Sequence, residues 1–294
     1  MINLRFHIVS LVAVFLALAI GIAVGATVVD QGLVSQSQRR ISSLDQTLQD
    51  RAASIKKLRA EQTRAEKFAA EAEPRMVRAR LAATPVLLVS DGQLSDAELS
   101  NLVATLRASG ARLVGVMDVA NAVGIDGKVA LERARAAVGA TSTRSDTIRF
   151  LVRQRVIGAI AQPFATGPLE PLVKAGFLQT KGIDGVDRLE TVPIATRVIF
   201  VDRSVATDRA IAVAGLLRGL AAAKVPTVVL GDATSSVVRL VRTDSSLGSL
   251  LSTVDGPTTT AGRVAVVYAL EDLGRGLVGQ YGLGADTDRL IPSP

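Results

Sequence analysis

Residues 85–118 read PVLLVSDGQLSDAELSNLVATLRASGARLVGVMD, and this stretch decides the predicted fold. Two short apolar runs, Val86–Ser90 and Arg112–Met117, flank a segment whose apolar residues recur at helical spacing. That segment opens with Ser95 and, three residues later, Glu98, a pair that is typical of a capped helix start. A strand, a helix and a second strand in this order predict a parallel β-α-β unit.

Further apolar runs extend this pattern toward the C-terminus. They are continuously apolar rather than alternating, which is typical of a parallel sheet that is buried on both faces. We therefore predict an α/β fold for residues 81–294, with an open and mostly parallel sheet. The remaining strand candidates are Arg197–Val201, Thr227–Leu230 and Arg263–Leu270, and the helix candidates are Leu131–Val138, Asp146–Ile160 and Asp208–Lys224.

The N-terminal region contains a long apolar run, Ile8–Val29, which has 22 positions without a charge. As a helix this run spans roughly 33 Å, enough for a hydrocarbon core of about 30 Å. We predict a transmembrane helix that is preceded by a short cytoplasmic tail, residues 1–7. The alternative is a secretory signal peptide, with Arg5 as its basic region and Val24-Gly25-Ala26 as its cleavage site. The run is longer than the ~7–15 residues of a signal core, which favours the anchor.

Residues 30–80 follow a heptad pattern and predict a coiled-coil stalk. Neither glycine nor proline occurs between Leu33 and Glu73, and Pro74 is expected to end the pattern. The alternative is an amphipathic helix that packs on the chain's own globular domain. A charged opposite face favours pairing with a second copy or with a partner protein. The apolar seam positions are Val34, Ile41, Leu44, Leu48, Ile55, Leu58, Ala65, Ala69 and Ala72.

Excess positive charge is concentrated in the predicted stalk. The whole chain has a formal charge of +7, and residues 30–80 contribute 11 Lys/Arg minus 7 Asp/Glu, or +4. Positive charge beside an apolar anchor is expected to attract anionic membrane lipid. Nucleic acid is not a predicted partner, because aromatic side chains make up only 3% of the chain and are not interleaved with the basic residues.

The composition excludes several kinds of chemistry. The chain has no cysteine and one histidine, His7, which lies beside the apolar run, so thiolate and histidine-based catalysis in the globular part are excluded. We therefore predict a protein that is not an enzyme and has no cofactor. Carboxylates that follow strands are weak candidates for binding a hard cation, with helix caps as the simpler interpretation. These candidates are Asp91, Asp118, Asp202 and Asp232.

Three blocks of the sequence carry a resemblance to a known family. They are MINLRFHIVSLVAVFLALAIGIAVGATVVDQGLV at residues 1–34, PVLLVSDG at residues 85–92, and STVDGPTTTAGRVAVVYALEDLGRGLVGQYGLGADTDRLIP at residues 252–292. With the heptads between the first two, they resemble the actinobacterial MctB-type copper transporter family. The resemblance implies a globular domain outside the cytoplasm and a link to copper export. For some members it implies a partner-dependent complex that controls peptidoglycan hydrolysis at cell separation.

Two functions follow as hypotheses. The first is a single-pass protein of the cell membrane, not an enzyme, that acts as an envelope scaffold or regulator through coiled-coil oligomerisation and protein partners. The second is a copper efflux component that forms an oligomeric channel, with an outer-membrane location as the alternative. Protein copper sites prefer soft or imidazole ligands, and here those are scattered at His7, Met1, Met76 and Met117. The residues therefore favour the first hypothesis, and copper ions remain a partner that only the resemblance implies.

Overall fold

The structure is a computed structural model, and it describes residues 4–92, 94–161, 169–181, 192–284 and 286–291. The chain divides into two compact units, residues 1–65 and residues 66–294. The described residues of the first unit, 4–65, are helical throughout. The second contains an open sheet with helices on both faces, as the sequence predicts.

The first helix, α1, runs from Leu4 to Val77 over 74 residues. Its segment Arg5–Gly25 is long and apolar enough to cross a membrane, with a mean hydropathy of 2.8. The helix continues past Pro74 to Val77, and whether Pro74 ends the heptad pattern stays a prediction. Pro74 lies in the last turn, so only one carbonyl loses its donor. Val77 is also fully buried, which holds that turn in place.

The sheet has seven strands in the order β3-β2-β1-β4-β5-β6-β7. All neighbouring pairs are parallel except β2 with β3, which is antiparallel. The strands are β1 Pro85–Ser90, β2 Arg112–Asp118, β3 Gln179–Lys181, β4 Arg197–Val201, β5 Thr227–Gly231, β6 Ser252–Asp255 and β7 Gln280–Tyr281. Four of the five predicted strands are thus confirmed.

Helices connect the strands and cover the sheet. The capping box at Ser95 and Glu98 is present at the start of the helix between β1 and β2, as predicted. The predicted helix that precedes β5 is confirmed as well. The helices that follow α1 are α2 Asp96–Ala108, α3 Ala120–Val123, α4 Lys128–Val138, α5 Ser145–Ala161, α6 Glu170–Lys174, α7 Thr207–Ala222, α8 Ser236–Thr243, α9 Ser245–Gly248 and α10 Thr260–Gly274.

The predicted strand Arg263–Leu270 is wrong, because these residues belong to helix α10. A short continuous apolar run has no periodicity that separates a buried strand from a buried helix. Helix α10 is buried nearly all round, and Thr259 caps its start by accepting a hydrogen bond from the Gly262 amide. The strand at this point of the chain is β6, whose sequence STVD is polar but completely buried.

Two apolar clusters cover the two faces of the sheet. Leu87 and Val89 of β1 belong to one cluster, whereas Val86 and Leu88 belong to the other, as the alternation of strand side chains requires. The continuous apolar character of the strands follows from this double burial, as predicted. The second cluster also contains Val77 from the end of α1.

Candidate functional site

The carboxyl ends of β1 and β4 form the switch point of the sheet. The chain passes from β1 outward to β2 on one side and later returns to place β4 on the other side of β1. In open α/β sheets, ligands bind at the crevice that such a reversal creates. Ser90 pairs with Val201, so the residues that follow them, Asp91 and Asp202, leave the sheet side by side.

Both aspartates are buried, with 2% of Asp91 and 0% of Asp202 exposed. Arg209 of α7 donates from Nε to Asp91 Oδ2 at 2.7 Å and from Nη2 to the Asp91 carbonyl oxygen at 2.8 Å. The Ser235 hydroxyl donates to Asp202 Oδ2 at 3.0 Å. Within the described part of the chain, the Oδ1 atoms of Asp91 and Asp202 have no hydrogen-bond partner.

The surroundings of Asp202 favour its protonated form. Burial, followed by the hydrogen bond and the negative charge of Asp91, raises the pKa of Asp202 to about 7, against the opposing effect of the Ser235 hydroxyl. Asp91 instead has the Arg209 guanidinium as its counter-charge. A proton shared between the two carboxyl groups would supply the donor that their Oδ1 atoms lack among the described residues. We call Asp91 and Asp202 the carboxyl pair.

The other two predicted metal candidates have partners of their own at this edge of the sheet. Asp118 accepts a hydrogen bond from the Ala120 amide at 2.8 Å, which is the local turn role that its position after a strand allows. Asp232 accepts from Arg203 Nε at 2.8 Å. Over the described ranges, no three His, Asp or Glu side chains are grouped closely enough to hold a metal ion. The four candidates therefore do not converge on one cation.

Sequence reasoning missed the basic partners of this edge. Arg203 bridges Asp232 and Glu98, and Arg242 donates to the buried Asp255 at 3.1 Å. Arg209 lies 118 positions from Asp91, so no local pattern connects the two. These arginines lie on the helices and loops between the strands. Only the order of the strands in the sheet shows which carboxylate each arginine contacts.

The large apolar side chains in the middle of the predicted seam are exposed. The exposed fraction ranges from 50% for Ile55 to 63% for Leu58, with Ile41, Leu44 and Leu48 between them. Toward the end of the seam, Ala65 is exposed, whereas Ala69 and Ala72 are half-buried in the unit that contains the sheet. Val34 belongs to α1, but its side chain lies outside the described residues. Pairing of the seam stays a prediction.

Within the unit of residues 66–294, the end of α1 is fixed to helix α10 by polar contacts. Glu73 accepts from Arg263 Nη2 at 2.7 Å and from the Thr105 hydroxyl, and all three side chains are buried. Glu66 accepts from the Thr260 amide at 2.8 Å and from its hydroxyl at 2.7 Å. The last turns of α1 therefore pack on the chain's own sheet unit. The alternative to a coiled coil predicted such packing for the whole stalk.

A helix that is apolar and long enough to cross a membrane, in one chain with an open α/β sheet, fits a membrane protein with a globular α/β domain. The chain belongs to the family described as "Copper transport outer membrane protein, MctB", whose sequence model matches residues 1–292. It is 25% identical to proteins named "Copper transporter MctB" from Mycobacterium bovis and Mycobacterium tuberculosis, over 97% of both chains. The resemblance found in the sequence is thereby confirmed.

Proposed function

We propose that this protein is a membrane-anchored component of the cell envelope that acts through association of its helical stalk and not as an enzyme. The observation that carries the proposal is the row of exposed apolar side chains between Ile41 and Leu58. The row follows the anchor segment in the same unbroken helix, α1. On this proposal the anchor lies in the cell membrane and the sheet domain outside the cytoplasm, where it acts as a scaffold or a regulator of peptidoglycan hydrolysis.

The energetics of the seam support association. Full burial of a leucine or isoleucine side chain contributes roughly 1.5–3 kcal/mol. Five such side chains are at least half exposed along the seam. A second helix with the same spacing would cover them by knobs-into-holes packing, and the polar seam positions Arg51 and Gln62 would select the register.

The carboxyl pair supports a structural role more than a catalytic one. A catalytic carboxyl group must reach its substrate, but Asp91 and Asp202 are almost completely enclosed. The nearby carboxylates Asp232 and Asp255 are each occupied by an arginine. The edge that binds ligands in many α/β proteins is thus closed here by internal ion pairs.

Substitutions on the seam test the proposal. Leu44→Asp combined with Leu48→Asp places two charges in the seam, whereas Gln46→Asp combined with Ala53→Asp places the same charges on the opposite face of the helix. We expect the full chain in nanodiscs or native membranes to lose its self-association or its partner only with the first pair. Association that survives the seam substitutions would falsify the proposal.

Cysteine crosslinking gives an independent readout, because the chain contains no cysteine of its own. A Leu48→Cys variant is expected to form a disulfide-linked dimer on oxidation if the stalk pairs with a second copy in parallel register. Gln46→Cys, on the opposite face, is the matched control and is expected to stay monomeric. A partner protein would instead appear as a heterologous adduct after treatment with a bifunctional thiol reagent.

A second candidate function is copper efflux, and the printed names of the family and of its mycobacterial relatives favour it. Copper would be the cargo of an oligomeric assembly. Of the sulfur and imidazole side chains that the structure describes, Met117 is fully buried in the sheet, Met76 is partly exposed, and His7 lies in the anchor helix. A strain that lacks the protein should then accumulate copper under copper stress, and unchanged copper content would remove this candidate.

A further inference from the structure

A groove of about 640 Å³ lies between helices α5 and α7, and its lining includes Arg209, the partner of Asp91. The loop that follows α3, with Val123 and Ile125, forms one part of its lining. Its volume falls within the range of ~300–1,000 Å³ that is typical of sites for small molecules. The charged side chains of its lining are Arg149, Arg153, Arg209, Arg218, Asp126 and Asp208.

Three of these arginines have internal partners. Arg149 donates to the Ile125 carbonyl and to Asp126, and Arg218 donates to Asp244. Arg209 uses Nε and Nη2 on Asp91. Their charges are therefore balanced by carboxylates of the chain, and a ligand would find only their remaining N–H groups.

Arg153 differs from the other three. Across the residues that the structure describes, its guanidinium has no hydrogen bond and no ion pair, although the side chain is half-buried. Arginine side chains that lose contact with water normally gain a partner. Arg153 is thus an uncompensated positive charge inside a concave surface.

The backbone of α7 makes room for this guanidinium. A Cβ atom at Gly215 would lie 3.1 Å from Arg153 Nε, so the glycine lets the guanidinium rest against the helix. Asp208 also lines the groove, seven residues before Gly215 and therefore roughly 10 Å away along the helix axis. In the described part of the chain, Asp208 forms no ion pair with Arg153.

An exposed apolar side chain stands in the same groove. Ile211 of α7 is 64% exposed and lies on the groove-lining side of the helix, one turn before Gly215. A water-exposed isoleucine beside a guanidinium without a counter-charge offers a ligand one contact for an anionic group and one for an apolar group. Two further apolar lining residues, Val123 and Ile125, are buried and extend that apolar wall.

From this arrangement we infer that the groove binds an organic monoanion: a carboxylate that pairs with Arg153 and carries an apolar body that covers Ile211. The inference is independent of the stalk and of any transport of copper, because its residues lie on α5 and α7.

Phenylpropionate is a suitable probe, with phenylpropanol as its uncharged analogue and inorganic phosphate as an anion without an apolar body. Binding is measured by calorimetry on the full chain in nanodiscs, with empty nanodiscs as the blank. We expect phenylpropionate to bind more tightly than either of the other two probes. Equal affinity for phenylpropanol would contradict the pairing of a carboxylate with Arg153. Equal affinity for phosphate would contradict the apolar contact with Ile211.

Two substitutions at the same position separate binding from folding. Arg153→Met keeps the length of the side chain and removes the charge, and Arg153→Lys keeps the charge without the planar fork. We expect both to weaken phenylpropionate binding, Arg153→Met by about tenfold or more. Arg239→Met, at an exposed arginine of α8 outside the groove, is the matched control and should bind like the original chain. Unchanged affinity in Arg153→Met refutes the inference.

Discussion

Asp91 and Asp202 lie side by side at the ends of β1 and β4, and each has one carboxylate oxygen without a hydrogen-bond partner in the described part of the chain. Arg209 balances the charge of Asp91, whereas Asp202 accepts a hydrogen bond from the neutral Ser235. The two aspartates therefore differ in electrostatic environment, although they occupy equivalent positions in the sheet. This asymmetry assigns the shared proton to the Asp202 side.

The carboxyl pair predicts a specific pH dependence of stability. The pKa of Asp202 is about 7 in the folded chain, against an ordinary value of 3.8. The folded state thus binds this proton more tightly than the unfolded state does, so the contribution is present at low pH. This contribution to the free energy of unfolding is on the order of a few kcal/mol. It declines as pH rises from about 4 to about 7 and is lost above that range.

Asp202→Asn tests this dependence. The asparagine amide donates to Asp91 Oδ1 at every pH, while its oxygen still accepts from Ser235. Thermal unfolding of the full chain between pH 5 and pH 8.5 should show a higher Tm for the variant at the alkaline end and a flatter profile. Asp232→Asn, which affects an arginine-paired carboxylate at the same edge, serves as the control. A steeper alkaline loss in Asp202→Asn would contradict the shared proton.

The sequence could predict the strands whose apolar runs are continuous, and β4 has the predicted bounds Arg197–Val201. It could not predict β6, because the polar residues Ser252 and Thr253 are buried there by the neighbouring strands and not by their own hydrophobicity. Nor could it separate α10 from a strand. A helix that is buried on all sides loses the polar face that marks helical periodicity.

The candidate site was visible only as separate residues. Each aspartate is recognisable as the residue after a strand, but the sequence does not reveal that β1 lies between β2 and β4. That order brings Asp91 beside Asp202, whereas Asp118 engages its own turn through the Ala120 amide. The arginine partners come from distant helices, so long-range topology and not local pattern determines the electrostatics of the edge.

The buried ion pair between Glu73 and Arg263 predicts a large loss of stability when it is broken. Glu73→Ala leaves the guanidinium of Arg263 buried without its counter-charge and removes one of the two acceptors of the Thr105 hydroxyl. Removing one partner of a buried pair typically costs about 3–5 kcal/mol. Glu71→Ala, at an exposed position two residues earlier, should change the free energy of unfolding far less. Chemical denaturation of the full chain measures both, and equal losses would argue against the pair.

Glu66 predicts a small acid-dependent contribution. The hydrogen bond from the Thr260 amide, followed by that from the Thr260 hydroxyl, lowers the pKa of Glu66 below its ordinary 4.5. Its stabilising effect is therefore present above the unfolded-state pKa and is lost as pH falls through the lower folded-state value. Glu66→Gln should lower stability at pH 7 by about 0.3–1 kcal/mol, the usual size of a helix N-terminal charge, and by less at pH 3. A loss of stability in Glu66→Gln that is larger at pH 3 than at pH 7 would contradict this prediction.

Two close-packed glycines predict losses of stability of different size for the same added methyl group. A Cβ at Gly219 of α7 would lie 2.0 Å from Ile157 Cδ1, and a Cβ at Gly262 of α10 would lie 2.0 Å from the Gly256 carbonyl oxygen. The first obstacle is the end of a side chain, and the second is backbone. Gly219→Ala should cost about 1–3 kcal/mol by overpacking, and Gly262→Ala more, because the loop before α10 must move.

A double substitution checks the physical cause of this difference. Ile157→Val removes the Cδ1 atom that the new methyl group meets, so it should restore part of the stability that Gly219→Ala loses. No such rescue is available to Gly262→Ala, since Gly256 contributes only backbone. Free energies of unfolding for the single and double variants give the coupling directly. Additive losses for Gly219→Ala and Ile157→Val would mean that α5 and α7 are not packed as closely as the structure has them.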